Sequence, residues 1–454
     1  MKKRYAYLVN WKPRKFLNYA QGWHSGSHAY AWAAITTFVR TGFPRTSNSE
    51  VALQFHAFRF TDRSLWGTEK AHNEFMSRND LRSQSLDLLR FPLAVVIVII
   101  HTFSTNGFTI QGNKVSLDNM PFLLEINHFI DGFLRGQSVP IYFFISGFVF
   151  FLGIKLTKAT YIQKLKNRMK TLLIPYIIWN IIPVLLSLLK RLPCFSFLFP
   201  NIHKTQLDFS LPAILANFWD CSKGIFIQPE SSESVVNNHI YPIDVPLWFV
   251  RDLMIVVLCT PVLYWVLKRT RYYFVLFFGI LWFVLVYWDF GHINQLITAF
   301  FFFSWGAYMS VNQKKMLQEF GRFFKTSVFL YPLLALMFVW SVHYCPDASA
   351  TIKKLNVFVG LFFAYNVAAW LLKYHICKVS PFLASSSFFI YVAHILICGD
   401  LVKVFFLILH PVSDWEMLLA YALAVVATVM SLLLVFFLLR RYTPSLLKVI
   451  AGRK

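Results

Sequence analysis

Acidic residues are scarce in this chain: 21 Asp and Glu stand against 44 Lys and Arg among 454 residues, a formal net charge of +23. Charge of either sign is also thin. Only 14% of the residues are charged and 57% are hydrophobic, where a soluble domain has about 25% charged and roughly 45–50% apolar residues. An ordinary soluble globular fold is therefore excluded. Cysteine is rare too. Its six positions, Cys194, Cys221, Cys259, Cys345, Cys377 and Cys398, form no C-x-x-C pair and no metal-ligand spacing, so they read as filler in apolar helices and no metal is expected. A bridge between Cys194 and Cys221 stays open. The sequence has no internal repeat and no signal-peptide layout of basic start, apolar run and small-residue cleavage site.

What the chain does have is a series of long apolar runs, several about 18–24 residues, enough to cross a hydrocarbon core of roughly 30 Å. Ten spans are predicted, at about 88–105, 138–154, 171–189, 247–267, 273–288, 293–310, 326–342, 355–372, 386–408 and 416–439. The segments between them alternate in basicity. One set (155–170, 268–271, 311–325, 373–380 and 440–454) carries twenty Lys and Arg in 58 residues, and the other carries eight in 112. That alternation explains the positive charge as membrane topology rather than nucleic-acid binding, and the positive-inside rule puts both termini in the cytoplasm. The expected fold class is all-α: a polytopic integral membrane protein of about ten transmembrane helices.

Residues 1–75 differ from the rest. They hold 11 Lys and Arg with 4 Asp and Glu, and their longest apolar stretch, "AYAWAAITTFV", is too short to span. The first methionine after Met1 is Met76. The expectation is that Met76 is the true start and 76–454 the working membrane domain; a genuine cytoplasmic extension is the rival.

The stretch "SLDLLRFPLAVVIVIIHTFS" (85–104) puts an arginine and a histidine at the ends of an apolar run. Arg90 and His101 are eleven residues apart, about 20° past whole helical turns, so they share one face with an axial offset of about 16 Å. Asp87 is placed as an i,i+3 partner of Arg90. Arg90 alone reads equally well as a snorkelling anchor at the inner rim. His101 lies beyond the midplane, where an ionisable side chain usually faces a cavity or a polar partner.

"LDLLRFPLAVVIVIIH" (86–101) resembles the first-helix signature of the acyltransferase 3 family, an arginine, ten residues, then histidine, preceded by Leu-Asp. Four more blocks are similar to that family's, in order: "VPIYFFISGFVF" (139–150), "NRMKTLLIPYIIW" (167–179), "VPLWFVRDLM" (245–254) and "SSSFFIYVAHILI" (385–397). The resemblance runs from about 85 to 440. It departs where the family often has a second arginine: here Thr171 follows Arg168, with Lys166 or Lys170 as the available substitutes.

The resemblance implies a membrane O-acyltransferase, with acetyl-coenzyme A or another acyl-CoA as donor and a polysaccharide or other envelope glycan as acceptor. His101, Arg251, Asp252 and His394 are the expected catalytic group, with His101 as general base or as nucleophilic acyl carrier. Arg90, Arg168 and Lys170 are expected to hold the donor's phosphates. Trp248, Tyr391 and Ser146 are expected toward the acceptor, although Ser146 beside Gly147 equally fits helix packing, and Trp248 an interfacial belt. Glu125, His128 and Asp131 are placed on the first outer loop, near the acceptor or simply solvated. The expected setting is multi-pass in the inner (plasma) membrane, with the bilayer, acyl-CoA and a glycan as partners and no nucleic acid. A polysaccharide or lipid-linked glycan flippase is the main rival; it calls for repeats, broken helices and a charged path on several spans. A membrane glycosyltransferase, favouring outer-face carboxylates, is the second.

Overall fold

A computed structural model describes residues 78–103, 108–110, 113–115, 120–193, 206–226 and 240–452. Residues 1–75, and with them the start-site expectation, lie outside the described residues, as does Cys194; Cys221 is free. The described chain is helical throughout except for a small antiparallel hairpin, β1 (Phe108–Ile110) with β2 (Asn113–Val115). Lipid offers no hydrogen bonds, so apolar runs of this length close their backbone bonds internally as helices.

The helices in order are α1 (Arg78–Thr102), α2 (Pro121–Phe133), α3 (Ser138–Phe151), α4 (Lys158–Arg168), α5 (Ile174–Lys190), α6 (Leu211–Ala216), α7 (Trp248–Leu258), α8 (Thr260–Thr270), α9 (Tyr273–Val284), α10 (His292–Val311), α11 (Met316–Gly321), α12 (Phe324–Tyr344), α13 (Pro346–Lys373), α14 (Pro381–Ala393), α15 (Cys398–Leu409), α16 (Asp414–Tyr442) and α17 (Pro444–Ile450). Among the described residues, six helices or helix runs are long and apolar enough to cross a membrane, and eight if each of two bent pairs counts as one span. The bent pairs are α7 with α8, broken at Cys259 and bent by 64°, and α14 with α15, broken after His394–Leu396 and bent by 61°. The expected span 273–288 forms only the twelve-residue α9.

The first break follows from Pro261 at the second position of α8. Its ring clashes with the preceding turn, so a helix restarts there instead of running on. The segment expected as the first outer loop is partly helical: Pro121 opens α2, and Leu123 and Asn127 form its buried face. The backbone N–H of Leu123, unpaired within its own helix, donates to Asp414 Oδ1 of α16 at 2.9 Å. The start of α16 is itself fixed by a capping box between Ser413 and Glu416.

The core gathers apolar side chains from α1, α3, α7, α10, α13, α14 and α16. Helices α3 and α10 cross at backbone contact. A Cβ on Gly147 would strike the Phe303 carbonyl, and one on Gly306 the Phe144 carbonyl. Small residues allow this approach inside a membrane, where packing rather than hydrophobicity drives helix association.

Candidate active site

Helix α1, which has Pro92 inside it, carries both Arg90 and His101. Asp87 pairs with Arg90 at 3.1 Å. Two groups from α3 hold the same stretch of α1: the Tyr142 hydroxyl donates to the Arg90 carbonyl at 2.7 Å, and Ser138 to the Leu93 carbonyl at 3.2 Å.

At the other end of α1, His101 meets His394. Their ring centroids are 5.2 Å apart and the planes tilt by 49°. His394 is fully buried at the break between α14 and α15. Its Nδ1 lies 2.8 Å from the Tyr391 carbonyl. A carbonyl only accepts, so Nδ1 carries the proton of the neutral ring and Nε2 keeps its lone pair. That Nε2 is buried and has no hydrogen-bond partner. The helix break makes this possible, because the Tyr391 carbonyl is reached by a side chain three residues on, in a tighter turn. Arg135, just beyond α2, donates to the Ile100 carbonyl at 3.4 Å and brings a positive charge toward His101.

Arg168 ends α4, and a single π turn, Met169–Leu173, joins it to α5. Pro175 has no N–H to give to the carbonyl of Thr171, and the wider π turn takes up the irregularity. Such turns are frequent at functional sites. Beside it opens a cleft of about 660 Å³ lined by Arg168, Lys164, Asn167, Gln163, Thr160 and Thr171, with Gly452 at its wall. The charge of Arg90 acts on Arg168, and among the described residues no carboxylate pairs with Arg168. Lys170 is exposed and does not line the cleft.

Arg251 and Asp252 form a third cluster, bonded to each other at 2.9 Å and both buried. Arg251 also donates to the carbonyls of Trp219 at 2.9 Å and Ile240 at 3.1 Å, and its guanidinium lies over the Trp219 ring. Asp252 Oδ1 takes a second partner, His292 Nε2, at 2.9 Å. The pair is thus engaged with the 206–226 segment and the start of α10. No direct bond joins it to His101 or His394 among the described residues.

Of the residues expected at the acceptor, Tyr391 is buried with its hydroxyl on the Pro246 carbonyl. Trp248 is half-buried against the core, and Ser146 is half-buried beside the Gly147 crossing. Three residues were not foreseen in this setting: His292, Arg135 and Asp244. Asp244, just before α7, is fully buried, with both carboxylate oxygens unpartnered. Its backbone N–H donates to Asn180 Oδ1 at 3.2 Å. Burial pushes its carboxyl well above the usual carboxylate range.

The fold and these clusters define a multi-pass membrane protein with a histidine pair, one ring fully buried, and a cleft carrying Arg168 and Lys164. An acyltransferase-domain family model matches residues 83–440. The chain belongs to that family, acyltransferase 3, and is a membrane acyltransferase transferring groups other than aminoacyl groups. No curated protein and no solved structure matches it.

Proposed function

We propose that the protein transfers an acyl group, acetyl in the simplest case, from cytoplasmic acyl-CoA to a hydroxyl of a cell-envelope or extracellular polysaccharide across the inner membrane. The single observation that carries this reading is the His101–His394 pair, in which one imidazole is locked in a single tautomer against the Tyr391 carbonyl beside the other. A neutral imidazole with a free lone pair is a general base for an attacking hydroxyl. His394 offers such a lone pair at Nε2, and His101 beside it takes the same role or carries the acyl group itself.

The donor's phosphates lie at the Arg168 cleft with Arg90 nearby. The Arg168 guanidinium, which has no carboxylate partner among the described residues, and the polar side chains that share the cleft with Val149, Phe150 and Ile154 support an anion site. The axial offset of about 16 Å between Arg90 and His101 suits a pantetheine arm reaching from the inner rim past the midplane. Ten spans with both termini cytoplasmic are part of the same reading, on the alternation of basic segments.

A polysaccharide flippase gains from the two bent helix pairs, which are of the kind transporters place around a substrate. It accounts for neither the tautomer-locked histidine pair nor the family. The test is mass spectrometry of envelope glycans from a deletion strain complemented with wild type or His101→Ala. The expected result is an acyl mass lost on deletion and restored by wild type alone. Restoration by His101→Ala, or unchanged glycans on deletion, overturns the reading.

A further inference from the structure

On α2, Glu125 and His128 are three residues apart and so share a face of the helix. His343, in the last turn of α12, comes up against them. Its Nε2 lies 2.8 Å from Glu125 Oε1, and His128 Nδ1 lies 3.8 Å from Glu125 Oε2. One ligand atom from each of the three residues falls within 4.8 Å of the others. We propose that Glu125, His128 and His343 bind one divalent first-row transition-metal ion, with zinc the best fit, stapling α2 to α12 and leaving one coordination position open.

Four observations carry this. The donor set is two imidazoles and a carboxylate, the type that zinc takes with three protein ligands and a fourth open position. Magnesium and calcium prefer all-oxygen sets. The geometry is near but not yet closed: ligands at about 2.0–2.1 Å in a tetrahedron stand roughly 3.3–3.5 Å apart. The observed contacts to the two Glu125 oxygens are 2.8 and 3.8 Å, with one ligand atom from each residue within 4.8 Å of the others, so closure is a matter of rotating side-chain ends. His128 Nδ1 is shielded from solvent yet has no hydrogen-bond partner, an exception that calls for an unplaced ligand. The two histidine rings also lie edge to face, centroids 5.5 Å apart, which leaves their ring nitrogens close enough to share one ion.

The helices that carry the ligands are already fixed to each other. The Tyr331 hydroxyl of α12 bonds the Phe133 carbonyl of α2, and their rings pack at 4.5 Å. Gly132 gives way to the Phe338 ring. Asp131, one turn beyond His128, is not a ligand, since Arg135 and Lys353 occupy it. Through Arg135, which reaches the carbonyl preceding His101, the staple also steadies the α2 side of the histidine pair. No metal is expected from spacing alone because one ligand lies more than two hundred positions from the other two.

The test uses the full-length protein in detergent, purified without a histidine tag, stripped with EDTA and then supplied with zinc chloride. After gel filtration, wild type is expected to retain one zinc per chain and to melt at a higher temperature than the stripped protein. Glu125→Gln and His343→Asn, both close in shape, are expected to lose the bound zinc and the thermal shift. If either variant fails to fold, cobalt chloride added to stripped wild type decides the matter. A tetrahedral site gives strong visible absorption that fades as pH falls and the imidazoles protonate. Wild type without retained zinc, variants that keep it, or cobalt without that absorption overturns the proposal.

Discussion

His394 lies 5.2 Å from His101, centroid to centroid, and gives its Nδ1 proton to the carbonyl of Tyr391. The helix break after α14 sets the tautomer, and the tautomer decides which nitrogen is free. That nitrogen faces a protein interior with no other partner for it.

This arrangement separates two substitutions. His394→Asn keeps an N–H in the Nδ1 position and so keeps the bond to Tyr391, but it removes Nε2. The variant is expected to insert and melt like wild type while acyl transfer falls by about 10²–10⁴, the usual worth of a positioned acid–base group. His101→Ala is expected to abolish transfer. Labelled acyl-CoA turnover by the purified variants is the measurement; full activity in His394→Asn would reduce that histidine to a packing role.

Arg168 is the residue on which the proposed donor site depends. Arg168→Ala is expected to weaken coenzyme A binding by roughly 10- to 150-fold, the equivalent of one charged hydrogen bond of about 1.5–3 kcal/mol. Arg168→Lys restores charge but not the planar fork and is expected to rescue only part. Arg90 should behave similarly, and Lys170→Ala, exposed and outside the cleft, should bind as wild type does. Calorimetry on the three variants would place the donor elsewhere if Lys170→Ala alone lost affinity.

The buried Arg251–Asp252 pair predicts a stability effect before a catalytic one. Asp252→Ala leaves a guanidinium buried without its carboxylate, a loss of about 3–5 kcal/mol, and frees the 206–226 segment that Arg251 holds at Trp219. Thermal unfolding in detergent reads this directly. His292→Asn retains a polar partner near Asp252 and is expected to cost much less. A pair that melts normally when broken would have to be catalytic instead.

Asp244 sets a pH dependence. Its carboxyl is held well above the ordinary value of 3.8 by burial, so the folded protein keeps a proton that the unfolded chain gives up. Stability from this group is therefore fully present below the unfolded value and declines as pH rises from there through the raised folded value. Asp244→Asn carries no such proton. It is expected to melt above wild type at mildly alkaline pH and alike at acid pH, measured by thermal scans across that window. A variant that loses stability at every pH would mean the carboxylate is charged and paired.

The sequence made the first helix legible because Arg90 and His101 sit on one continuous element, where spacing alone fixes the geometry. The same holds for the Asp87–Arg90 pair. His394 was legible only through its motif, since nothing local reveals that its neighbour is on α1. His292 was invisible for a related reason: its partner Asp252 is forty positions away on another helix. Hydropathy makes 247–267 a single span because it averages over the break that Thr260-Pro261 marks. Helix α2 looks like loop in sequence because its polar residues, Glu125, His128 and Asp131, hide the buried Leu123–Asn127 face. They turn out to be side chains with partners in other helices.

The glycine crossing of α3 and α10 has a mechanical consequence. With Gly147 on the Phe303 carbonyl and Gly306 on the Phe144 carbonyl, the two helices have no side-chain layer between them to slide on, and interlocked backbones move as one beam. Any opening for the proposed donor arm or glycan chain then comes from the parts outside that beam. The two breaks, at Cys259 and after Leu396, are where the chain already bends. One lies directly beside His394. The His101–His394 contact thus sits beside a point where the chain already bends.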